Sequence, residues 1–125
     1  MTGAIFGAIA VALGAFGAHG LKKIVPVETV QVFQTGVQYQ MYHALALIAT
    51  GILYQQFSQK NVLNAGRFFV IGISLFSGSL YLLTLGKASN LTIMDRVGIV
   101  TPIGGVCFII GWVLLFFGIY KGRTD

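Results

Sequence analysis

The side chains with chemistry to contribute crowd into positions 38–43, where Gln38, Tyr39, Gln40, Tyr42 and His43 fall within six residues. An imidazole can ligate a metal or a haem iron, and with a phenol or an amide beside it can pass a proton along a chain of hydrogen bonds. His19 is the other histidine, so the two together raise the alternative of a b-type haem held between helices. The competing reading is that both imidazoles hydrogen-bond across helices and bind nothing. A second group, Ser77, Ser79 and Tyr81, has the make-up of a small-molecule or quinone pocket, or of hydroxyls bonding back to their own helix. Asp95 stands beside Arg96 and either remains an exposed pair or folds inward to meet a histidine. No nucleophile with an acid and base in reach, no metal-ligand spacing and no phosphate loop stands out. That points to a non-enzymatic protein with no metal site.

What must position these residues follows from the charges. All charged residues fall in three gaps and a tail, leaving charge-free runs at 1–21, 29–59, 68–86 and 97–120. A helix rises about 1.5 Å per residue and a bilayer core is about 30 Å thick, so roughly 20 apolar residues make one span. With 56% hydrophobic residues, 9% charged and seventeen glycines, the composition is far from that of a water-soluble domain. The expected architecture is all-α: an integral membrane four-helix bundle with spans at about 2–20, 37–57, 67–85 and 102–120. A short interfacial helix at about 28–35 is expected to be split from the second span at Gly36. Residues 1–125 then form one transmembrane domain, with the first run a retained helix and not a cleaved signal, since no basic region precedes it.

The net charge of +5 comes from dispersed cations, which read as interface anchors for lipid headgroups and not as a nucleic-acid surface. Cys107 lies in the fourth run, where a thiol behaves as a small hydrophobe. Gly3, Gly7 and Gly14 share a face of the first helix, and Gly104, Gly111 and Gly118 recur every seven residues on the fourth. Small residues are the usual contact between helices in lipid, so these faces are expected to pack helices or copies together, with the first helix central. Pro26 with Glu28, and Thr101 with Pro102, mark helix starts, the Thr101 hydroxyl acting as cap. An even number of spans puts both termini on one side. The cations tie at four to four, and Glu28 and Asp95 on the far side tilt the termini toward the cytoplasm.

The run from Leu13 to Lys22, the run from Tyr39 to Leu45, the run from Phe76 to Tyr81, and Thr101 to Gly105 followed by Trp112 together resemble one family. It is the domain of unknown function 423 family of small bacterial membrane proteins, similar to the animal transmembrane protein 256. The resemblance implies a four-helix protein of uncharacterised activity in the bacterial plasma membrane. It supplies no catalytic residue, but His19, His43, Ser77, Tyr81, Thr101 and Pro102 match its pattern. The first expectation for function is a self-associating protein or accessory subunit of a larger membrane complex. The alternative is a binder or transporter of a small ligand (lipid, quinone or haem) in a polar pocket between the first two helices.

Overall fold

A computed structural model describes residues 1–124, without the side chains of Ile93 and Met94. Among the described residues the chain is helical throughout. Helix α1 spans Thr2–His19 and leads through a 3-10 turn, Leu21–Lys23, to α2, Val27–Phe57. Helix α3, Lys60–Gly72, runs through a π turn, Ile73–Ser77, straight into α4, Gly78–Ser89. A 3-10 segment, Thr92–Ile99, then feeds α5, Val100–Thr124. The stops are local. Ser58 and Asn90 both take left-handed backbone, at φ 47° and 56°, a conformation that ends helices. Pro26 starts α2 with φ already set for a helix, and its carbonyl accepts from the Thr29 and Val30 amides.

Neighbouring rods alternate in direction. Gly3 meets Ala44 and Ile48 while Gly17 meets Phe33, so α1 and α2 are antiparallel. Gly104 passes Phe76, Gly111 passes Phe69 and Gly118 passes Val62, so α5 runs back along α3 and the π turn. Three segments are long and apolar enough to cross a membrane: Thr2–Lys23, Lys60–Ser89 and Asp95–Thr124. Helix α2 has the length but not the hydropathy, because its first half carries the glutamines, tyrosines and histidine.

Two expectations change here. Helix α2 is continuous for 31 residues, about 46 Å, so there is no separate interfacial helix at 28–35. Gly36 does not break it. A Cβ there would lie 3.0 Å from Tyr81 Cε1 and 3.3 Å from Leu80 Cβ, so its glycine lets α2 press on the rod formed by the π turn and α4. The centre also belongs to α2, which touches α1, α3, the π turn, α4 and α5, whereas α1 packs only on α2 and the turn that follows it. Only a helix enclosed by others can bury polar groups with partners on several sides, and α2 is the one that carries them. Outward faces are apolar, with Ile5, Val11, Ile103, Ile109, Phe116 and Phe117 all exposed, the reverse of a water-facing surface.

Candidate functional site

The buried stripe of α2 is Gly36, Gln40, His43 and Thr50, at helical spacing and turned toward α3, the π turn and α4. His43 is 5% exposed and lies flat on Phe108 of α5, ring centroids 3.5 Å apart and planes 9° apart. Its Nδ1–H donates to the Tyr39 carbonyl at 2.8 Å, and its Nε2 accepts from the Trp112 indole N–H at 3.2 Å. One hydrogen on Nδ1 satisfies both bonds, leaving the ring no free lone pair.

One turn away, Gln40 joins three helices. Its Nε2–H donates to the Phe6 carbonyl of α1 at 2.9 Å, and its Oε1 accepts from the Tyr81 hydroxyl of α4 at 2.7 Å. Ser77, fully buried at the end of the π turn, donates to the Gly36 carbonyl at 2.6 Å. Ser79 donates to the Phe76 carbonyl and accepts from Thr101, 2.6 Å away on α5. The Thr101 hydroxyl therefore ties α5 to α4 instead of capping its own helix, which already starts at Val100. Among the described residues no buried side-chain nitrogen or oxygen lacks a partner. Such groups have no water to turn to in hydrocarbon, so they fasten the helices to one another.

The remaining candidates lie elsewhere. His19 is exposed at the end of α1, bonded through Nδ1 to its own Ala15 carbonyl at 3.1 Å. Gly17 abuts Phe33, which places His19 about a dozen residues along α2 from His43, roughly 18 Å away, so the two do not form a ligand pair. Asp95 sits on the 3-10 segment in an exposed ion pair with Lys87 at 3.5 Å, outside the interior network. Asp95 does not turn inward to a histidine, and an exposed pair contributes little. Tyr39 rests on Phe76, 4.7 Å between centroids, with its edge exposed, and Tyr42 points outward. Gln38 is exposed and hydrogen-bonds to no described residue.

The glycine faces are used inside the chain. A Cβ at Gly3 would lie 2.8 Å from the Ala44 carbonyl, and one at Gly14 3.3 Å from Val37; Gly7 is looser, 4.0 Å from Ala44 Cβ. On α5, a Cβ at Gly104 would strike the Phe76 backbone, at Gly111 the Phe69 ring at 2.7 Å, and at Gly118 the Val62 amide at 2.9 Å. Open space lies outside, in a groove of about 630 Å³ along α2 bounded by Lys22, Gln31, Gln34, Thr35, Gln38 and Met41. Gln40, one of the polar cluster at 38–43, is the junction of three helices, and Trp112, named in the sequence reading only with the family motifs, is the partner of His43. The spacing of Gly36, Gln40 and His43 on one helical face was the available signal for Gln40; Trp112 had none, since its contact with His43 bridges 69 positions.

Lipid-facing apolar sides around a polar but fully paired interior define a helical membrane protein. The chain belongs to the DUF423 family, the protein of unknown function (DUF423), whose model matches residues 13–105. It is 47% identical to the UPF0382 membrane protein YwdK of Bacillus subtilis (strain 168) over 120 residues, 95% of this chain and 93% of the relative. Against the UPF0382 membrane protein of Haemophilus influenzae it is 40% identical over 121 residues, 97% and 92% of the two chains. Against the UPF0382 inner membrane protein YgdD of Escherichia coli (strain K12) it is 42% identical over 115 residues, 92% and 83% of the two. No solved structure matches. The protein is thus an integral component of the plasma membrane, as its relatives' names and its own apolar helices agree.

Proposed function

We propose that this chain is a non-enzymatic membrane protein that works by association, with itself or as an accessory subunit of a larger membrane complex. One observation carries the reading: the interior polar groups, Gln40, His43, Ser77 and Tyr81, are paired within the chain, while the amide of Gln38 faces outward with no partner among the described residues. An enzyme or proton carrier in lipid keeps an ionisable group open to a cavity or a substrate path. Blue-native electrophoresis of gently extracted protein tests the proposal: a complex larger than 13.4 kDa of chain plus bound lipid supports it, and a bare monomer in every mild detergent refutes it.

A second reading, a ligand in the groove beside Gln31, Gln34 and Gln38, draws on the size and polar wall of that groove. Quinone or a defined lipid recovered in fixed ratio from the purified protein would favour it. Haem has no part in either reading, because both His43 nitrogens are engaged and His19 is far off. Protein made with haem supplied is expected to lack a Soret band, and a band lost in His43→Ala would contradict this.

The end carrying residues 1 and 124 is proposed to face the cytoplasm. Lys22, Lys23, Lys87 and Arg96 on the opposite face balance Lys60, Arg67, Lys121 and Arg123 in number, and that opposite face carries two acids, Glu28 and Asp95, against Asp125 alone on the other. A fluorescent protein fused after residue 125 is expected to light up, and an alkaline phosphatase fusion there to stay inactive. The reverse pattern overturns the orientation.

A further inference from the structure

Resting on the association reading, we propose that α2 pairs in parallel with α2 of a second copy of this chain, along a seam of Gln31, Thr35, Gln38, Tyr42, Leu45 and Ala49. All six are exposed, Tyr42 by 52% and Leu45 by 58%. Their spacing alternates four and three residues and continues to Ile52, exposed by 62%. A repeat of 3.5 keeps a stripe on one side of a helix and is the spacing of two helices that wrap left-handed around each other.

The seam is the part of α2 that its own chain leaves bare. Helix α1 covers the side with Val37, Ala44 and Ile48, and the other helices cover Gly36, Gln40, His43 and Thr50. Every buried polar side chain described on α2 has a partner, whereas the amides of Gln31 and Gln38 have none among the described residues. Gln38 lies about two turns inward from Gln31, and an amide without a partner there costs free energy wherever lipid replaces water.

Chemistry selects a second copy as the occupant. Copies inserted with one orientation meet about an axis normal to the membrane, so each seam residue faces itself. A carboxamide is donor and acceptor at once, so Gln38 pairs with Gln38 and Gln31 with Gln31, and the seam holds no charge to repel its twin. Polar positions paired across a helix seam fix its register in this way. Ala49 allows the backbones to approach in the apolar half.

Oxidative crosslinking in native membranes tests this, in full-length chain with Cys107→Ala and one new cysteine at a time. Leu45→Cys and Ala49→Cys keep the amides; Ile109→Cys, on the lipid face of α5 and 64% exposed, reports random collisions. Crosslinked homodimer is expected as the main product at 45 and 49 and at background at 109, and adding Gln38→Leu to Ala49→Cys is expected to cut the yield. Equal yields at 49 and 109, or no effect of Gln38→Leu, overturn the seam. Ala49→Cys linked only to a different protein refutes self-pairing and leaves the association reading standing. No crosslinked product of either kind, with a bare monomer in blue-native gels, overturns both.

Discussion

At the residue scale, Gln40 shows how a polar side chain in lipid becomes a fastener. It satisfies both halves of its amide on two other helices, with Phe6 of α1 and Tyr81 of α4. Gln40→Leu removes the acceptor of the Tyr81 hydroxyl, and a bond of this kind in a membrane contributes about 1 kcal/mol. Unfolding in mixed micelles is expected to show that loss, and a double-mutant cycle with Tyr81→Phe to recover most of it as coupling. Additive effects would mean that the bond contributes nothing. Trp112 gives a second probe, being the chain's only tryptophan. Its indole N–H donates to His43, so His43→Leu is expected to shift its emission to the blue; unchanged emission would deny the bond. The sequence made His43, Ser77 and Tyr81 legible because a polar residue in an apolar run stands out. It did not show which of the polar residues face in. Gln38 and Gln40 are two positions apart on a helix that turns about 100° per residue, so they point to nearly opposite sides.

At the scale of elements, glycines decide how closely the rods approach. The π turn is held between Gly36 of α2 and Gly104 of α5, the second so near the Phe76 backbone that a methyl group has no room. Gly104→Ala is expected to destabilise by about 1–3 kcal/mol. Gly78→Ala, with nothing within 4 Å, is expected to be neutral or to gain up to about 1 kcal/mol from helix propensity. Thermal melting in detergent separates the two, and equal effects would remove the packing argument. The all-helical class and three of the apolar runs were legible because charge placement follows the membrane. The continuity of α2 and the central place it takes from α1 were not. Gly36 reads the same in sequence whether it breaks a helix or lets a neighbour close in, and only the position of Tyr81 and Leu80 decides between them.

At the scale of the molecule, the chain presents apolar faces outward and a paired polar core inward, with the exposed stripe of α2 as the departure from that rule. The glycine faces, expected to pack helices or copies together, join helices within one chain, because each finds a partner rod alongside it. That moves the surface for association from glycine to glutamine. The account stands on this division between polar groups that hold the fold and polar groups that reach beyond it. Native mass spectrometry from native-lipid discs tests it directly, comparing the wild type with Gln38→Leu and Gln40→Leu. The account predicts an assembly of two or more chains for the wild type, monomers of undiminished thermal stability for Gln38→Leu, and a less stable but still assembled Gln40→Leu. A monomeric wild type, or two variants that behave alike, would contradict it.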